Sequence, residues 1–195
     1  MQVIRGLHNL RDEHRGCVAT IGNFDGVHRG HQAILDQCRE QAAKLQLPVT
    51  VVVFEPQPRE FFAGDQAPPR LTLLRDKVRL LGEAGVERVL CLPFNDALRG
   101  LTAEAFIEKV LIAGLGVRHL VVGDDFRFGC DRRGDFHLLA EVGERHGFSV
   151  EHTRTFTVDD DRVSSTRIRT LLASGNFEAA ARLLGRPYRL GGRVV

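Results

Sequence analysis

No stretch of the chain approaches the ~20 consecutive apolar residues that a membrane-spanning helix needs. The residues after Met1, "QVIRGLHNL", lack the apolar core of a secretory signal. Four cysteines are present (Cys17, Cys38, Cys91 and Cys130), none in a CxxC pair and none spaced with histidines as in a zinc site. A disulfide framework is not expected in a chain of 195 residues with so few cysteines. Neither sign of charge is in excess: 27 Lys and Arg stand against 25 Asp and Glu, a net +2. That is too little to draw nucleic acid by bulk electrostatics. Internal repeats and low-complexity tracts are absent, as are the phosphate-binding signatures GxxxxGK(S/T) and GxGxxG. What remains is a cytoplasmic globular protein with reduced thiols and 43% hydrophobic residues, ample for a full core.

Short apolar runs alternate with amphipathic stretches. Strands are predicted at 17–22, 49–54, 88–94, 118–123 and 148–156, and helices at 30–45, 72–85, 102–115, 135–147 and 174–185. Thr72 is read as lying near the N-cap of its helix and Thr102 as an N-cap, and Gly85 and Gly147 as helix stops. "VTVVVF" is β-branched and apolar almost throughout, as a strand covered on both faces must be. The βαβ order predicts an α/β fold, a mainly parallel sheet with helices on both faces. Ligands of such sheets bind outside the carboxyl ends of the strands. Four post-strand loops therefore stand out: "GNFDGVHRGH", "EPQPREFF", "GDDFRFGCDRRGD" and "DDDRVSSTRIR". The region 55–70, with its prolines, is read as a long loop.

In the first loop His28 and His31 sit at a helix start, where free N–H groups and the helix dipole favour phosphate. Gly22, Gly26 and Gly30 would let the backbone come close. A capping histidine beside a surface one is the plainer alternative. In "VSSTRIR" the hydroxyls of Ser164, Ser165 and Thr166 and the cations Arg162, Arg167 and Arg169 suit a second phosphate group, or simply a capped helix. Asp124 and Asp125, directly after a strand, could accept from a hydroxyl or hold Mg²⁺. Phe54, Phe61 and Phe62 around two prolines could make a slot for a flat ring.

Together and in this order, "IGNFDGVHRGHQ", "FEPQPREFF", "VVGDDFRFG" and "VSSTRIR" resemble the FMN adenylyltransferase module of the prokaryotic FAD synthetase family. The likeness runs from about Arg15 to Val195. It implies a Rossmann-like nucleotidyltransferase fold with an HxGH element. It implies catalytic roles at the ATP phosphates for His28 and His31, and ATP contacts from Gly22, Asn23, Phe24, Asp25, Gly30, Arg162, Ser165, Thr166 and Arg169. Pro56, Pro58, Phe62, Phe106, Asp125 and Phe128 are implied on the flavin side. ATP and FMN are the implied substrates, with Mg²⁺ held mainly by phosphates. Residues 1–185 would form the transferase domain, and 186–195 the junction to a covalently continuous riboflavin kinase domain whose GxPTAN-type motif is not in this chain. Gln57 departs from the family, in which many members carry histidine between the two prolines.

The implied reaction, FMN and ATP giving FAD and pyrophosphate, needs no general base. The second pKa of a phosphate monoester lies near ~6, so the nucleophile is already ionised at neutral pH. The obstacle is the approach of two anions, which positioning and charge neutralisation overcome. Bound triphosphate is expected to favour protonated imidazoles. The competing readings are a related transferase acting on another phosphate-bearing substrate, and a flavin carrier without catalysis.

Overall fold

The residues of 17–21 and 49–53 are buried at every position, which requires cover on both faces of those strands. The computed structural model describes residues 1–123, 125–154, 156–158 and 161–191, with Asp161 described by its backbone alone. Asp124, Thr155 of the expected last strand, Asp159 and Asp160, and the terminal "GRVV" lie outside the described residues.

The strands are β1 (Gln2–Arg5), β2 (Cys17–Ile21), β3 (Val49–Glu55), β4 (Arg88–Pro93), β5 (Val117–Val122) and β6 (Ser149–His152), followed by the short hairpin β7 (Thr157–Val158) and β8 (Asp161–Arg162). The helices are α1 (Arg29–Leu45), α2 (Pro58–Ala63), α3 (Leu74–Glu83), α4 (Asp96–Arg99), α5 (Ala103–Phe106), α6 (Phe136–His146), α7 (Ser165–Ala173) and α8 (Phe177–Leu184). A π-helical stretch, Ile107–Ile112, continues α5.

The first six strands form one sheet in the order β1-β4-β3-β2-β5-β6, every pair parallel. Side-chain alternation divides the core in two. Ala19, Ile21, Val52, Leu90, Leu120 and Val122 face α5, the π-helical stretch and α6. Val18, Val51, Val53, Val89 and Val121 face α1 and α3. A third, smaller cluster joins Leu71 and Val163 to α7 and α8. From β2 the chain steps to β3 and β4 on one side, and later to β5 and β6 on the other. The order therefore reverses between β2 and β5. That switch point is where open α/β sheets leave a crevice for ligand.

The expected fold class is observed, with three corrections. β1, not expected from sequence, adds a parallel edge strand with only Ile4 buried. The expected loop 55–70 contains α2, with Pro58 in its first turn and Glu60 accepting from the Gln57 N–H at 2.8 Å. Thr72 does lie next to the cap of α3, a position that Leu73 holds, and its hydroxyl turns to the β2–α1 loop. The last strand is shorter than 148–156. Thr102 does cap α5, and Gly147 ends α6 in the left-handed conformation.

Leu120 is wholly buried in central β5. Leu120→Ala should destabilise the protein by about 2–5 kcal/mol, read as a lower urea midpoint with an unchanged slope.

Candidate active site

The loop from β2 to α1 is built on backbone strain held by hydrogen bonds. Phe24, Gly26 and Val27 all have positive φ, at 47°, 84° and 39°. Such values are rare for any residue but glycine and rarer still for a β-branched one. Asp25 supplies most of the restraint. Its carboxylate is 2% exposed. It accepts from the N–H groups of Leu71 and Thr72, from the Thr72 hydroxyl, and from Arg169 Nη2 at 2.5 Å. The Asp25 carbonyl accepts from Ser165 Oγ at 2.9 Å, and Gly26 N–H donates to Thr72 Oγ1 at 3.0 Å. The loop is thus tied to the lead-in of α3 and to α7. At Gly26 a Cβ would also lie 2.9 Å from Leu71, which closes the position to larger residues.

This turn delivers His28 to the head of α1. Its Nδ1 accepts from His31 N–H at 3.2 Å, so His28 is the N-cap. A nitrogen that accepts carries no proton. The neutral ring therefore holds its proton on Nε2 as a donor. The two imidazoles stack with centroids 3.6 Å apart, and Phe24 props His31 from 4.8 Å. A Cβ on Gly30 would sit 3.2 Å from His28 Nδ1 and 3.4 Å from the Val163 carbonyl. Glycine there lets the helix, the ring and the β8–α7 loop meet. His28 is therefore at once the cap of α1 and the stacking partner of His31. Burial pushes the His28 imidazolium down to about 4, against the pull of Asp25 and with the push of Arg186 and Arg169. Burial, then the charges of His28 and Lys77, hold His31 well below the usual histidine range.

His28, Gly30, His31, Arg162 and Ser165 line one cavity of about 560 Å³ with Asp125, at the switch point. Arg154, which sequence reasoning missed, lines it too. Gln37 of α1 holds the segment that carries Arg154, accepting from its N–H and donating to the His152 carbonyl. The remaining expected ATP residues stand behind this surface. Gly22 bonds to Val52 of β3, Phe24 is core, and Asp25 and Arg169 are paired with each other. Arg169 Nε also donates to the Pro69 carbonyl at 2.7 Å. Asn23 is half-buried, and Thr166 lies exposed in the first turn of α7.

A second cavity, also of about 560 Å³, is apolar and aromatic. Of the expected flavin residues, Pro58, Phe62, Phe106 and Phe128 line it. Pro56 is exposed and outside its wall, and Asp125 belongs to the histidine cavity. Phe54, Phe94 and Phe126 line it too, with Arg99, Arg127 and Arg132 at the same cavity. Phe126 and Phe128 lie nearly parallel at 5.3 Å, and Arg99 stands 6.0 Å over Phe62. Arg70 clips α2 into place by bonding both Glu55 and Glu60. Those bonds hold the Glu60 carboxyl below its ordinary range. One segment, 125–129, walls both cavities: Asp125 faces the histidines, and Phe126 to Gly129 face the aromatics.

No group of three His, Cys, Asp or Glu side chains is placed to hold a metal ion among the described residues. Among the described residues Asp125 is the single carboxylate lining the histidine cavity. The donor set fits a hard cation that arrives with most of its oxygens already supplied by phosphates.

Lys77 lies on α3, outside the four loops singled out from sequence. It is 0% exposed, and its Nζ has no hydrogen-bond partner among the described residues. Its place three after Leu74 and four before Leu81, on the apolar stripe of α3, was the signal. Burial lowers its pKa, although Asp25 and Glu55 pull the other way. Below that lowered value the folded protein carries the full cost of a buried ammonium. As pH rises toward 10.5, the ordinary lysine value, the cost disappears because neither state is then charged. Lys77→Met should therefore raise stability by about 2 kcal/mol at pH 7 and by less at pH 10, as measured by urea unfolding. For His28 the unfolded chain binds the proton first. Stability should fall as pH drops from about 6.5 to about 4, and His28→Asn should flatten that slope.

The comparisons with known proteins agree with this geometry. The family model described as FAD synthetase matches residues 10–167. A bifunctional riboflavin kinase/FMN adenylyltransferase from Pseudomonas fluorescens is 60% identical over the whole of this chain and 62% of its own length. Its namesake from Escherichia coli K12 is 52% identical over 63% of its length, and that of Haemophilus influenzae 48% over 63%. The chain thus spans less than two thirds of these relatives. A crystal structure described as a macrolide-efflux protein from Streptococcus pneumoniae superposes with a TM-score of 0.80 at 27% identity, over 95% of this chain and 60% of that one. Among the described residues no helix is long and apolar enough to cross a membrane. With the HRGH loop at the switch point and the family model matching from residue 10 to residue 167, the chain belongs to the FAD synthetase family.

Proposed function

We propose that the protein transfers AMP from ATP to FMN, releasing pyrophosphate and forming FAD. The observation that carries this reading is the shared wall. A polar cavity with two histidines and two arginines and an apolar cavity lined by phenylalanines meet across residues 125–129. A triphosphate suits the first. A flat tricyclic ring suits the second, whose volume lies in the usual range for small-molecule pockets. The names of the relatives supply FMN as the acceptor and adenylyl as the group transferred.

In this reading the FMN phosphate attacks the α-phosphorus of ATP in line, and the bond to the bridging oxygen breaks as pyrophosphate leaves. His28 donates from Nε2 to the oxygens around the α-phosphorus, and the stacked His31 supports it. Arg162, Arg154 and the hydroxyl of Ser165 hold the leaving phosphates. Arg169 joins them if it exchanges Asp25 for phosphate. The histidines start neutral in the empty site. A bound triphosphate stabilises their charged forms, so proton uptake should accompany ATP binding. Mg²⁺ would be held chiefly by the substrate's phosphates, with Asp125 as the candidate protein ligand, and would supply further charge neutralisation. Asn23, Thr166 and Pro56 remain candidate contacts at the margins of the two cavities.

Residues 1–185 form the transferase domain in this proposal, and 186–195 the junction. The relatives' names pair the transferase with riboflavin kinase, an activity that makes FMN. A kinase in the same polypeptide would supply the acceptor directly. A cytoplasmic location fits a consumer of ATP whose four cysteines are all free thiols.

Incubation of the 195-residue chain with FMN and Mg-ATP should yield FAD and pyrophosphate by chromatography. Flavin binding without product would instead identify a carrier. His28→Asn keeps a capping side chain but removes the Nε2 donor. It should lower turnover at least ~100-fold while the folded state persists by circular dichroism.

A further inference from the structure

The strained turn before His28 is gripped from behind by a residue outside every motif considered so far. The half-buried Arg186 follows α8. It donates from Nη2 to the Gly26 carbonyl at 2.5 Å and from Nη1 to the Val27 carbonyl at 3.1 Å. Nη1 also reaches the Leu184 carbonyl at 3.2 Å. Gln32, on the first turns of α1, bonds the same two acceptors: its Nε2 donates to Val27 O at 3.1 Å and to Leu184 O at 3.2 Å. Two donors thus share two carbonyls, one in the β2–α1 loop and one at the end of α8.

These carbonyls belong to the part of the loop with the least favourable backbone. Gly26 and Val27 have positive φ, and His28 is the next residue. The Asp25 contacts fix the first half of the turn. Arg186 and Gln32 fix the second half, the half that sets where the His28 ring stands. A guanidinium is suited to this, because its planar fork meets two adjacent carbonyls at once.

We infer that Arg186 is a positioning residue for adenylyl transfer: it clamps the Gly26 and Val27 carbonyls, so that the placement of His28 depends on the segment after α8 remaining docked against the loop. A displacement of that segment reaches the imidazole through two hydrogen bonds and one peptide unit. The expected boundary between 185 and 186 therefore runs through the support of the site. The inference rests on the proposed function for its kinetic readout only.

The test uses Arg186→Met, Arg186→Lys and Gln32→Met in the 195-residue chain. Each is examined by FAD formation, thermal melting and NMR titration of the imidazoles. The charged groups around His28 are Asp25 on its own loop, His31 on α1, Arg169 on α7 and Arg186, with Asp125, Arg154 and Arg162 lining the same cavity. Removing Arg186 takes away one cation, so the His28 pKa should rise in Arg186→Met and stay near its starting value in Arg186→Lys. Turnover in Arg186→Met should fall at least tenfold with KM for ATP changed less than twofold, and lysine should restore part of it. Combined with Gln32→Met, the losses should be non-additive, because both side chains hold one pair of carbonyls. Unchanged turnover and an unchanged His28 titration in a folded Arg186→Met would overturn the inference. So would a loss of turnover that tracks the unfolded fraction, or strictly additive losses in the double variant. Wild-type chain that makes no FAD would count against the proposed reaction alone, and the His28 titration would then decide the role of Arg186.

Discussion

Everything at the mouth of the sheet depends on the buried carboxylate of Asp25. An unpaired carboxylate in that position would cost several kcal/mol. Here it is met by two backbone N–H groups, a hydroxyl and a guanidinium. The partners come from the lead-in to α3 and from α7, so one side chain fastens the histidine loop to two other parts of the chain. Three residues of left-handed backbone can persist in the loop because these bonds over-determine it. The strain is structural work already done. It places His28 as both the cap of α1 and a wall of the cavity, a combination that a relaxed turn would not reach.

The pairing also qualifies how the arginines are to be understood. Arg169, by resemblance a phosphate contact, is held by Asp25 and the Pro69 carbonyl in the empty site. Its guanidinium is a structural tie first. Arg162 and Arg154 line the cavity, and Arg154 is itself paired with Glu40 at 2.9 Å. Two of the arginines near the cavity are therefore tied to carboxylates, beside imidazoles that burial keeps neutral. Charge can thus be added as the anion arrives, and the empty site need not hold a concentrated field.

What could be seen in the sequence follows from which physical signals are local. β2 and β3 were legible because strands covered on both faces must be apolar at consecutive positions. The histidine and hydroxyl loops were legible because glycines and Ser/Thr caps mark helix starts. β1 was not, because an edge strand with one buried side chain has no pattern to read. α2 was hidden by its own prolines, which suggest a loop although proline is welcome in a first helical turn. Thr72 has the composition of a cap but serves a carboxylate 47 residues away. Lys77 was hidden because a lone charge on a helix usually faces water. Arg186 was hidden because its partners are backbone carbonyls 159 and 160 residues distant.

The segment 125–129 has a consequence for how such a protein can change. Asp125 looks into one cavity and Phe126 to Phe128 into the other, on a stretch too short to flex in independent halves. A substitution that reshapes the aromatic side also moves the carboxylate beside the histidines. Drift here is pleiotropic: a lineage that reshapes the aromatic cavity cannot leave the histidine cavity untouched. The opposite wall, α2 with Pro58 and Phe62, carries no such double duty. It is held by the replaceable clip of Arg70, Glu55 and Glu60. Changes to the aromatic cavity would therefore arise more readily from the α2 side, with the shared wall as the part that history holds still.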